Sequence, residues 1–177
     1  MRAIVVYESM YGNTHEIAER IAAGLRPSFE VEVRPVGDAI GRVTEEVDLL
    51  VVGGPTHVHG MSRSATRKSA AEDAAKHADL DLEPGADGPG LREWFGGLPQ
   101  QHRGLAAAFD TRIDGPEMFT GHASKGIAKQ LSKHGLDILT DPESFLVDKH
   151  SHLVEGEAER AAEWGEALAA RFALTRG

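Results

Sequence analysis

The sequence predicts an α/β fold: a three-layer, doubly wound, five-stranded parallel sheet with helices on both faces, formed by one domain over residues 1–177. Three observations carry this reading. Short β-branched or apolar runs recur along the chain, segments with helical spacing lie between them, and no two strands are joined by a tight hairpin signal. Parallel strands need long crossovers, and alternation of strand with helix is their signature.

Ala3-Ile4-Val5-Val6-Tyr7 is apolar almost without interruption, as a central strand covered on both faces must be. A polar turn at 8–13 leads into Thr14 to Leu25, where Ile17, Ala18, Ile21, Ala22 and Leu25 share one helical face and Pro27 ends the helix. Phe29, Val31 and Val33 alternate with charged residues, which predicts a sheet edge. A brief helix is expected within 38–46, weakened by Gly41. Asp48 to Gly53 is a second buried strand. Residues 61–78 are helix-compatible but offer only alanine as an apolar face, and 79–90, with Pro84, Gly85, Gly88, Pro89 and Gly90, is loop chemistry. Leu91, Trp94, Phe95 and Leu98 form a short amphipathic piece before the strand Gly104 to Phe109. Gly126 to His134 reads as a helix, 136–140 and 144–147 as strand pieces around Pro142, and Glu155 to Phe172 as a charged helix with Ala158, Ala162, Leu168 and Phe172 inward.

Composition narrows the function. Apolar residues make up 41% and charged residues 27%, a globular balance. The longest apolar runs, such as Leu49-Leu50-Val51-Val52, are far short of a membrane span, and the N-terminus carries no extended hydrophobic stretch, so a cytoplasmic location is expected. No cysteine occurs, which removes disulfides, iron–sulfur clusters and thiol nucleophiles. A net charge of −9 opposes nonspecific nucleic-acid binding; it serves solubility or docking to a basic partner.

Ligands of an open parallel sheet bind beyond the strands' carboxyl ends, where strand order reverses. Three loops of unusual composition leave such ends, at 8–14, 54–62 and 110–122. In the first, Ser9, Asn13 and Thr14 supply hydroxyl and amide donors, Gly12 permits positive φ, and a helix N-terminus follows. No Lys or Arg occurs between residues 3 and 19, so a phosphate here would be bound by neutral donors. Alternatively, Ser and Thr simply cap the helix. Neither GxxxxGK[ST] nor GxGxxG after a strand is present, and Gly53-Gly54-Pro55 stands where a receiver domain needs its acidic phosphoacceptor. His57-x-His59 and His150-x-His152 have metal-compatible spacing but no accompanying carboxylate motif, and no GxSxG surrounds a serine, so neither a metal site nor a catalytic nucleophile is assigned.

Ser9-Met10-Tyr11-Gly12-Asn13-Thr14 resembles the FMN phosphate loop of the flavodoxins, [TS]-x-[TY]-G-x-T. Gly54-Pro55-Thr56-His57 and Phe109-Asp110-Thr111 are similar to the two loops that sandwich the isoalloxazine ring in that family, and the order of elements from 3 to 172 fits as well. Flavodoxin is itself the reference case for strand order 2-1-3-4-5, so that order comes with the resemblance. The resemblance implies FMN as cofactor. Ser9, Met10, Tyr11, Gly12, Asn13 and Thr14 would surround its phosphate; Pro55, Thr56, His57, Val58, His59 and Gly60 would face one side of the ring; Asp110, Thr111 and Arg112 would border the other side and the pyrimidine edge.

The chain departs from the family where a Trp or Tyr commonly covers the ring: His57 and His59 stand in one loop, Met118 and Phe119 in the other. Arg112 is a second departure. Near the pyrimidine edge it would stabilise the reduced, anionic ring, and otherwise it is a surface arginine paired with Asp114. Three functions stay open. The first is electron transfer with a redox partner protein or small acceptor. The second is NAD(P)H-dependent reduction of a quinone or nitro compound, and the third is an interaction module with weak or lost FMN binding.

Overall fold

The computed structural model describes residues 1–41, 47–57, 60–74, 81–98, 104–116 and 120–176. Along these the elements are β1 (Arg2–Tyr7), α1 (Asn13–Leu25), β2 (Glu30–Pro35), α2 (Val36–Ala39), β3 (Leu49–His57), β4 (Gly60–Met61), α3 (Ser64–Ala74), α4 (Leu91–Gly97), β5 (Leu105–Ile113), α5 (Ala123–Lys133), β6 (Asp137–Ile138), β7 (Glu143–Val147) and α6 (Glu157–Leu174). The expected brief helix ends at Ala39, and its remainder at 42–46 lies outside the described residues.

The main sheet runs β2-β1-β3-β5 and then β6 and β7, all parallel. Val5 sits opposite Val33 on one side and Val51 on the other, and Val51 opposite Ala107. The fifth position is shared by two short strands. β6 pairs with the start of β5, at Leu105 and Ala106, and β7 with its end, from Phe109 to Ile113. This is the expected doubly wound order 2-1-3-4-5, its last strand broken at Pro142. One expectation is corrected: a tight hairpin does exist, because β4 turns back antiparallel on the end of β3, pairing Thr56 with Met61 and His57 with Gly60.

Continuous apolarity of the central strands is explained by two cores. Ala3, Val5, Leu49, Val51, Ala107 and Phe109 face α1 and α6; Ile4, Val6, Leu50, Val52, Ala106 and Ala108 face α4 and α5, meeting Trp94, Phe95, Ile127 and Leu131. Strand β2 is an edge, with Val31 and Val33 only partly buried. Helices α1 and α6 approach closely at glycines: a Cβ on Gly24 would stand 2.1 Å from the carbonyl oxygen of Ala162, and one on Gly165 2.3 Å from that of Ile21. That contact rotates α6 from its expected face, burying Ala161 and Gly165 while Ala158 and Ala162 are only half-buried. No helix of the described residues is long and apolar enough to cross a membrane.

Candidate functional site

The loop joining β1 to α1 crosses the carboxyl edge of the sheet, beside the point where the chain order reverses between β1 and β3. Gly12 caps α1 with φ 87°, a left-handed conformation that L side chains resist, and a Cβ there would meet nothing within 4 Å. The cradle above it is open. The Gly12 amide donates to Ser9 Oγ at 3.1 Å, leaving the serine proton for another acceptor. By helical geometry the amides of Asn13, Thr14 and His15 have no partner inside α1.

Side chains fix this loop from several directions. Met10 is buried with Ala70 and Ala86, and Tyr11 donates its hydroxyl proton to the carbonyl of Ala70 at 3.1 Å. The Glu83 amide donates to the Met10 carbonyl at 2.8 Å, and the Glu83 carboxylate meets His15 Nδ1 at 2.6 Å. His15 stacks on Tyr7 with centroids 4.5 Å apart. Burial pushes the Tyr7 phenol well above its ordinary range and the Glu83 carboxylate adds to this, so Tyr7 remains a neutral donor. Asn13 Nδ2 donates to the carbonyl of Ser151 at 2.6 Å, docking the turn after β7, where Ser151 holds φ 62°. Thr14 Oγ1 lies 2.7 Å from Thr111 Oγ1, both residues buried. Met10, Tyr11 and Asn13 thus anchor the loop through their side chains, while Ser9, Thr14 and the first amides of α1 form an uncharged donor set.

The two other loops border the same crevice. Pro55 and His57 fall on the α1 face of the sheet by strand alternation, as Thr111 does. Burial lowers the His57 pKa; the Glu8 carboxylate opposes this and the Arg67 cation reinforces it, so the imidazole is neutral at pH 7. Thr56 and Asp110 turn to the other face. Thr56 Oγ1 accepts the Ala123 amide at 2.9 Å and Asp110 Oδ2 accepts the Ser124 amide at 2.7 Å, so both cap α5. Arg112 braces its own loop, donating from Nη1 to the Gly115 carbonyl at 3.0 Å and to Thr120 Oγ1 at 3.1 Å. Gly60 stands in open space at the start of β4. Val58, His59, Met118 and Phe119 lie outside the described residues. Among the described residues no three His, Asp or Glu side chains cluster as a metal site requires.

A buried polar network escaped the sequence reading. Glu8 and Arg67 are 4% and 3% exposed. The Glu8 carboxylate accepts the Ser62 hydroxyl and, at 2.8 Å, the Leu91 amide. Arg67 donates to Ser62 Oγ at 3.0 Å and to Glu93 Oε1 at 3.1 Å, and Glu93 also accepts the Gly90 amide. Burial works against the Glu93 charge, but the Arg67 hydrogen bond, hydrogen bonds from the Glu93 and Gly90 amides and the coulombic attraction of Arg67 together lower the pKa. The network ties the end of β1 to the β4–α3 junction and to the start of α4. Arg92 adds hydrogen bonds to the carbonyls of Met61 and Ser62.

Residues 4–72 match the family model of the flavodoxin domain. No curated protein matches the sequence. Among solved structures, a flavodoxin from the domain Archaea is 21% identical with a TM-score of 0.61, the alignment covering 98% of this chain and 99% of that one. Oxidised Flavodoxin 1 from Bacillus cereus is 19% identical, TM-score 0.62, covering 98% of each chain. A flavodoxin from Streptococcus pneumonia TIGR4 is 19% identical, TM-score 0.63, covering 97% of this chain and 99% of that one. The resemblance to flavodoxins is borne out by the family model over residues 4–72 and, beyond them, by the fold alone.

Proposed function

We propose that this chain binds one FMN and acts in electron transfer, as a single flavodoxin-like domain. The observation that carries the reading is the uncharged nest where α1 begins: Ser9 Oγ, Thr14 Oγ1 and the first amides of the helix, over an open Gly12 at the crevice between β1 and β3. Free helix amides and the helix dipole suit a phosphate, and the donor set fits one without any lysine or arginine in the loop. Pro55, His57 and Gly60 on one side and Thr111 and Arg112 on the other would border the ring, with Thr56 holding the first of these loops against α5 and Asp110 the second. When bound, FMN would supply the redox chemistry, taking up and passing on one or two electrons. The protein would bind the phosphate, exclude water and present an acidic surface to a basic redox partner or a small acceptor.

Titrating FMN into the apoprotein while following flavin fluorescence tests this reading. Stoichiometric quenching at one FMN per chain is expected; a protein that leaves the fluorescence unchanged at excess FMN is an interaction module with the same fold.

One observation favours a second reading, an NAD(P)H-dependent reductase of quinones or nitro compounds. Among the described residues of the two flanking loops, 54–57 with 60 and 110–116 with 120, none is Trp or Tyr, which leaves a ring face open to a nicotinamide. Steady-state NADPH oxidation with a quinone separates the two, because a carrier alone turns over only slowly.

A further inference from the structure

We infer that Thr111 acts on the phosphate subsite as a positioning residue: its hydroxyl donates to Thr14 Oγ1, which frees the Thr14 proton for an anion at the start of α1. The inference rests on the FMN reading and changes the part that Thr111 plays in it, from a neighbour of the ring to a partner of the phosphate.

The two hydroxyl oxygens are 2.7 Å apart, and either can be the donor. Thr14 is 2% exposed and Thr111 5%, so the pair is largely withdrawn from bulk solvent. Each hydroxyl carries one proton and two lone pairs. If Thr14 donates to Thr111, its single proton is spent and it meets an anion with lone pairs only. If Thr111 donates, Thr14 accepts through a lone pair and keeps its proton for a third group.

Thr14 is the second residue of α1, among the amides that have no partner inside the helix. A phosphomonoester placed there rejects the first orientation and selects the second. The chain then runs from Thr111 through Thr14 to the phosphate, and each bond polarises the next. Thr111 is placed for this by β5, which holds it opposite Pro55 in β3 and Phe145 in β7. Its neighbour Asp110 is fixed to α5 on the opposite face, which holds this end of the strand in register with Thr111 turned towards α1. The carboxyl end of β5 is thereby coupled to the loop after β1 by one proton.

The test is FMN and riboflavin affinity, by fluorescence quenching, for wild type, Thr111→Val, Thr111→Ser, Thr14→Val and the double valine variant, each checked for folding by circular dichroism. Thr111→Val is expected to weaken FMN about three- to tenfold, the scale of one net hydrogen bond, and to leave riboflavin, which lacks the phosphate, unchanged. Thr111→Ser is expected to restore FMN affinity. In the Thr14→Val background Thr111→Val is expected to have no further effect. Equal weakening of FMN and riboflavin, additive losses in the double variant, or no loss in Thr111→Val would overturn the inference while leaving FMN binding intact. Wild type that binds no FMN would overturn the FMN reading and this inference together.

Discussion

Arg67 is 3% exposed on a helix whose other residues are alanine or polar, and its charge is compensated from different parts of the chain. Glu93 pairs with it directly at 3.1 Å, while Ser62 links it to the Glu8 carboxylate. A buried ion that loses a partner leaves the rest of its network with desolvated, unmatched groups. Glu93 is half-exposed and can return to water, so the main loss on removing Arg67 falls on Ser62 and Glu8. Arg67→Met is expected to lower stability by about 1–3 kcal/mol, the range for hydrogen bonds to charged groups, measured as a shift in the urea midpoint at constant m-value. A midpoint unchanged from wild type would mean that the network is replaceable by apolar packing. The sequence hides it because its members stand at 8, 62, 67 and 93, with no spacing to connect them. The candidate phosphate loop, by contrast, is six consecutive residues and is legible as a unit.

At the scale of elements, the helices α1 and α6 meet where neither has a side chain. A Cβ on Gly165 would stand 2.3 Å from the Ile21 carbonyl oxygen, a backbone atom that cannot yield without shifting a helix. Gly165→Ala is therefore expected to destabilise the fold by about 1–3 kcal/mol, although alanine is the better helix former, and thermal or urea denaturation checks the sign. A stabilised variant would contradict the packing. This contact also explains the misplaced face of α6: apolar spacing favours Ala158 and Ala162, but the approach of a neighbouring backbone favours Ala161 and Gly165. The strands β1, β3 and β5 are legible because two cores demand apolar residues at successive positions, 3–7, 49–52 and 106–109. The hairpin of β3 with β4 is not, since Gly60 and Met61 are too few to show any period.

For the whole molecule, acid is the expected route to instability. Glu32, held by its Arg34 hydrogen bond, and Asp48, held by the Arg2 amide, have pKa values below the ordinary carboxylate range, as does Glu93. A carboxylate with a depressed folded pKa contributes stability above its unfolded pKa and loses it as pH falls through the folded one, which places this loss below about pH 4. His57 acts earlier with the same sign. Burial lowers its pKa from the ordinary 6.5, so the unfolded chain takes up a proton first and stability declines as pH drops below 6.5. The urea midpoint of the wild type is expected to fall between pH 7.5 and 5.5, and that of His57→Gln to fall less; parallel slopes would mean that His57 is protonated without penalty. The doubly wound layers and the carboxyl-edge crevice follow from patterns the sequence displays, whereas the sheet order follows from the resemblance to flavodoxins. Which loop residues turn into the crevice and which cap α5 does not, because strand alternation separates neighbours such as Asp110 and Thr111 only after register is fixed.

Whether the opening of α1 holds a phosphomonoester is decided by a crystal structure of the protein grown with FMN. The phosphate is expected within hydrogen-bonding distance of Ser9 Oγ, Thr14 Oγ1 and the first amides of α1, above Gly12. A flavin whose phosphate lies elsewhere, with those donors turned to protein or solvent, would contradict the account.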